Sequence, residues 1–194
     1  LARALYQENK SVVNDEIIKY YKFAADNGNV KAMHEFASLL YVGGGIHNNK
    51  EEGSKYFKMA IDKGNEEAMY IYGLILFKSE GSKKDESIKY FKMAADKGYL
   101  NAMHQYGVIL YKGIGTAVNR EEAFKYFKKA SEQGNIECTK FCGYMLFNGF
   151  GVQVNKIESL IYYKKSAENG DLSAMNKCGE IIFNGDGVPA DKEE

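Results

Sequence analysis

Five glycines divide this chain into near-equal parcels: Gly28, Gly64, Gly98, Gly134 and Gly170, spaced 36, 34, 36 and 36 residues apart. A chain that repeats at this interval does not close a separate core inside each parcel. Every unit covers its apolar face by stacking on its neighbours. The periodicity inside the parcels is helical rather than alternating, and one proline in 194 residues leaves helix interiors unbroken. The expected fold is therefore all-α: a right-handed α-solenoid of antiparallel helix pairs, about eleven helices counting a truncated first one.

Each parcel yields two helices. The glycine suits the left-handed turn that ends a helix, and Asn29, Asn65, Asn135 and Asp171 follow it directly. Their side chains accept hydrogen bonds from the free N–H groups of a new helix; Tyr99 departs from this rule. Four residues past the glycine stand Ala32, Ala68, Ala102, Cys138 and Ala174; five past it, Met33, Met69, Met103, Thr139 and Met175. Nine past it come Ala37, Gly73, Gly107, Gly143 and Gly179. A mid-helix glycine costs about 1 kcal/mol relative to alanine, so four in one slot predict a neighbouring helix crossing too closely for a side chain.

A loop follows, carrying Gly113-Ile114-Gly115, Gly149-Phe150-Gly151, Gly185-Asp186-Gly187 and a looser Gly43-Gly44-Gly45. These glycines read as turn formers. A nucleotide loop would need a preceding strand and a Lys-Ser/Thr at the helix start, or a third spaced glycine, and neither is present. The second helix opens with capping-box patterns at Asn49…Glu52, Asn119…Glu122, Asn155…Glu158 and, more weakly, Ser82…Asp85. It carries aromatic pairs at Tyr20-Tyr21, Tyr56-Phe57, Tyr90-Phe91, Tyr126-Phe127 and Tyr162-Tyr163.

At these residues the chain resembles the Sel-1-like repeat family, a relative of tetratricopeptide repeats with a longer loop inside the unit. Residues 100–134 and 136–170 follow the family pattern from the small residue of the first helix through the G-x-G loop to the closing glycine. The resemblance covers nearly the whole chain, and the first two loops depart from it. It implies scaffolding of multiprotein complexes. The paired cysteines of the family's secreted branch are absent. One array over 1–194 is expected: a partial unit 1–28, units at about 29–64, 65–98, 99–134 and 135–170, and a partial unit 171–194, cut from a longer chain.

Several function classes lose ground on composition. Lys plus Arg and Asp plus Glu number 26 each, a balance that argues against an electrostatic grip on nucleic acid or anionic membrane. No apolar run reaches the roughly 20 residues of a membrane span. Cys138, Cys142 and Cys178 fall in core slots as structural thiols. With no disulfide framework they favour the cytoplasm, the endoplasmic reticulum being the alternative. His34 and His104 share a slot two repeats apart, too far to share a metal or a proton, and His47 lies in a loop. No catalytic, metal or cofactor constellation concentrates in any unit.

Recognition is expected where slots vary while staying on one face. On the first helix these lie three, six, seven and ten residues past the glycine. The candidate partner-binding residues are His34, Tyr70, Ile71, Leu74, His104, Val108, Lys140, Phe141 and Tyr144, on what would be the concave surface. The expected function is a non-catalytic, monomeric adaptor holding a peptide or folded protein, with end-to-end stacking as its route to larger assemblies. The competing reading is a regulatory arm of a larger enzyme, such as a kinase or hydrolase.

Overall fold

The computed structural model describes residues 15–42, 49–79 and 83–186. The expected truncated first helix, the Gly43-Gly44-Gly45 loop, His47, the Ser82 cap and Gly187 lie outside the described residues. Among those described the chain is helical throughout. The helices are α1 (Asp15–Asp26), α2 (Val30–Val42), α3 (Lys50–Asp62), α4 (Glu66–Lys78), α5 (Lys84–Asp96), α6 (Leu100–Lys112), α7 (Arg120–Glu132), α8 (Ile136–Asn148), α9 (Lys156–Glu168) and α10 (Leu172–Phe183). The chain groups into two compact units, one ending at Met93 and the other starting at Ala94.

The corners form as the sequence demands. All five dividing glycines take the left-handed backbone, with φ between +85° and +89°, where a side chain would be strained. The side chains of Asn29, Asn65, Asn135 and Asp171 then accept from the N–H groups of Ala32, Ala68, Cys138 and Ala174 at 2.6–2.9 Å. Tyr99 holds the same position without a side-chain cap bond.

Second helices are capped differently from the standard box. The Asn49, Asn119 and Asn155 oxygens accept from the N–H of Glu52, Glu122 and Glu158. The glutamates answer to the asparagine amides at 3.1–3.2 Å, not to the backbone. The reason is visible at Asn119 and Asn155, whose N–H groups donate to the carbonyls of Leu110 and Leu146 and so close each loop onto the preceding helix.

Within each unit successive helices run antiparallel. Phe36 meets Tyr56 edge-on at 4.7 Å, while Tyr41, farther along α2, reaches Ser54, earlier in α3. In the second unit Tyr106 meets Tyr126 at 5.0 Å and Tyr111 meets Arg120. The close crossings fall at the glycine slot. A Cβ built on Gly73, Gly107 or Gly143 would touch the ring of Phe91, Phe127 or Tyr163 at 3.0, 2.6 and 3.2 Å. At Gly73 and Gly143 the carbonyls of Ser87 and Ser159 are as near as 3.4 and 3.3 Å. The second helices answer with small residues of their own, Gly53, Ser87, Ala123 and Ser159, all buried. Small faces small, and the aromatic ring one turn on seats itself over the glycine.

Candidate protein-binding face

The even-numbered helices are the first helices of each repeat, and their variable slots carry the candidate residues in each unit. In the second unit α6, α8, α9 and α10 enclose an open groove of about 570 Å³, bordered by Tyr111, Lys140, Phe141, Tyr144, Tyr163 and Lys177. Phe141 stacks on Phe127 at 4.9 Å with rings 10° apart, which fixes the groove floor to the core. Tyr144 is 40% exposed and leans on Phe150 of the loop at 5.5 Å. Burial, then the neighbouring Tyr144, raises the pKa of Tyr111, so its phenol stays protonated near neutrality.

The loop after α8 packs against the start of α7, because a glycine lets it come close. Gly151, at φ +74°, would place a Cβ 2.3 Å from the Arg120 carbonyl carbon and 2.5 Å from the Glu121 nitrogen. This contact carries the Arg120 guanidinium over the rings of Phe150 and Tyr111 at 5.0 and 5.3 Å, a cation–π arrangement.

The lysines beside the groove are engaged. Lys140, 26% exposed, donates to Asp171 at 2.7 Å and to Glu137 at 3.2 Å. Its pKa rises chiefly through the Asp171 bond, and Asp171 is held well below the usual carboxylate range chiefly by Lys140. Since Asp171 also caps α10, Lys140 ties α8 to the start of the next repeat's first helix as well as facing the groove. Lys177 pairs with Glu180 at 2.9 Å and lies 4.4 Å from the Phe147 ring centre.

In the first unit Ile71 and Leu74 border a second groove, of about 670 Å³. Tyr70 packs against Phe91 at 5.9 Å and Val108 is half-buried; neither borders either of these two grooves. His104 is half-buried between Phe127 and Phe141. His34, expected on the open face, is buried at 6% exposure. Both its ring nitrogens lack a hydrogen-bond partner, and burial lowers its pKa. The slot turns inward there because the ring packs toward Phe57, 6.0 Å away. Sequence reasoning also missed Arg120, Tyr111 and Phe150. The aromatic at the Phe150 loop position, where other repeats carry Ile114 and Asp186, was the signal available.

The described residues contain no group of three His, Cys, Asp or Glu side chains that could hold a metal ion. No described helix is long and apolar enough to cross a membrane. The three cysteines are buried and unpaired, with burial pushing the Cys138 thiol up to about 12.

Comparison with known proteins agrees with this architecture. The model of the Sel1 repeat matches residues 18–29, 100–135, 138–171 and 172–194, and a model of plant tetratricopeptide repeats matches 25–90. A protective antigen of uropathogenic Escherichia coli with an SLR fold superposes with a TM-score of 0.84 at 27% identity, over 98% of this chain. The chain spans 42% of that antigen's length. A Sel1 repeat protein from Oxalobacter formigenes gives 0.73 at 28% identity, over 97% of this chain and 79% of its own. Cysteine-rich protein B of Helicobacter pylori gives 0.51 at 20% identity, over 70% and 98% of the two chains, a likeness of fold alone. No match to a curated protein sequence was found.

Proposed function

The chain belongs to the Sel1 repeat family, and we propose that it is a non-catalytic adaptor whose first-helix face holds a peptide segment or a folded partner. Repeat proteins of this kind are in general protein-interaction scaffolds. The observation that carries the finer reading is the second-unit groove, which combines a rigid aromatic floor at Phe141 with a half-exposed phenol at Tyr144. Tyrosine offers large contact area at low entropic cost and is enriched among residues that dominate binding energy. The working site is Tyr111, Lys140, Phe141, Tyr144 and Lys177 of the second unit; Ile71 and Leu74 belong to the separate groove of the first unit. His34 drops out because it is buried.

The test is a peptide-display selection on the folded chain and on Tyr144→Ala. Phe141 is left intact, since its stack on Phe127 makes it a core residue as well. Sequences enriched by the parent and lost with Tyr144→Ala at unchanged melting temperature support the reading. Equal enrichment by both proteins removes the groove from the account.

A further inference from the structure

The groove of the first unit differs in chemistry from the one just described. Its floor is aliphatic, formed by Ile71, Leu74 and Ile75 of α4, and its side is Tyr41, whose hydroxyl shares a 2.6 Å hydrogen bond with Ser54. Its rim is cationic. Lys50 opens α3, Lys78 closes α4 and Lys83 stands just ahead of α5, all three exposed, against one acid among the described lining residues, Glu51, with Glu86 within electrostatic reach of Tyr41. Among the described residues none of the three lysines has an ion pair, in contrast to Lys140 and Lys177. Lys50 and Lys83 also sit at helix starts, where the backbone dipole is already positive. Cations there do not serve their own helices, and they favour an anion brought from outside.

We propose that this groove takes an acidic protein segment that also carries large aliphatic or aromatic side chains. An apolar side chain would rest on Ile71 and Leu74 while flanking carboxylates meet Lys50, Lys78 and Lys83. The inference rests on the reading of the first-helix face as the recognition face, and it assigns the partner's chemistry at a groove with its own lining residues. A purely anionic ligand such as nucleic acid would use the lysines and leave the aliphatic floor empty. The pairing of floor and rim is what selects a protein segment.

The experiment is fluorescence anisotropy of the whole chain with a labelled short peptide alternating Asp or Glu with Leu and Phe. A counterpart carrying Lys at every acidic position and a DNA oligonucleotide serve as comparisons. The acidic peptide should bind at least about tenfold more tightly than the basic one, and raising salt toward 1 M should weaken it several-fold as the Debye length contracts to about 3 Å. The variant Lys50→Glu/Lys78→Glu/Lys83→Glu changes only exposed positions and should reverse the preference. Leu74→Ser should weaken the acidic peptide about tenfold with folding verified by its melting curve, and Tyr144→Ala should leave it unchanged. Equal binding of acidic and basic peptides overturns the proposal, as does indifference to the triple reversal. DNA binding that is as tight as the peptide's and insensitive to Leu74→Ser shows a bare polyanion site and also overturns it. Loss of the peptide with Tyr144→Ala places it in the other groove, which sinks this inference while leaving the adaptor reading standing.

Discussion

The glycine slot of the first helices offers a substitution whose cost can be worked from one close contact. Gly107 stands nine residues past a dividing glycine, in mid-helix. At Gly107 an alanine Cβ would lie 2.6 Å from Cε1 of Phe127, with Cδ1 at 2.9 Å and Cζ at 3.0 Å. The ring has little room to retreat, being fully buried and stacked on Phe141. Overpacking a core in this way costs about 1–3 kcal/mol, and the contact is at the severe end of that range. Helix propensity returns about 1 kcal/mol, leaving Gly107→Ala less stable by about 1–2 kcal/mol. For a chain of this size that is roughly 2–8 °C in melting temperature. Gly107→Val adds two methyl groups against the same ring and should cost several kcal/mol. Urea unfolding followed by circular dichroism reads both. A Gly107→Ala protein as stable as the parent would refute the seating of Phe127 on that glycine.

Other outcomes follow from individual contacts. His34 is buried and its pKa lies below the ordinary 6.5, so the unfolded chain binds the proton more readily. Its neutral ring is fully tolerated above about pH 6.5, and stability should fall as pH drops below that value. His34→Phe should flatten the slope between pH 7 and 5 in melting experiments. Lys140→Ala removes the ion pair on the α10 cap and should cost about 1 kcal/mol, at the upper end for a partly exposed pair. Because Asp171 has its pKa depressed, the loss should be present at neutral pH and vanish as the carboxyl protonates in acid. Cys138 and Cys142, buried with raised pKa values, should resist alkylation in the folded chain and react at once in denaturant. Fast labelling of the native protein would mean that α8 opens readily.

The parts of the fold written in local chemistry were legible before the structure. A glycine followed by Asn or Asp fixes a corner through backbone conformation and one side-chain bond, and neither depends on distant residues. The G-x-G loops are of the same kind: Gly113, Gly115, Gly149 and Gly151 all take the left-handed region. The meaning of the mid-helix glycines was also readable, though not its other half. The facing small residues Gly53, Ser87, Ala123 and Ser159 share a slot eleven residues before the next glycine. They look like ordinary polar-to-small variation until the crossing is seen. The same holds for Ser131 and Thr139, whose hydroxyls bond at 2.7 Å inside the core where α5–α6 and α9–α10 carry Ala95 with Met103 and Ala167 with Met175.

The site was harder, because a helical face is not the same as an exposed one. His34 and Lys140 occupy the same slot, yet one is buried under an aromatic and the other reaches the cap of the next helix. Which occurs depends on the residues of adjoining repeats, information that a single helix does not contain. Arg120 was missed for a related reason. It lies over the Tyr111 and Phe150 rings because Gly151 lets the loop of the following repeat come against its backbone.

The claim that the first-helix face is the recognition surface can be tested directly by placing a photo-crosslinking amino acid at position 144. A second protein carries it at position 125, an exposed place on α7. With the selected peptide bound, the account predicts efficient crosslinking from position 144 and none from 125. Crosslinks from 125, with 144 silent, would put recognition on the second helices and contradict the account.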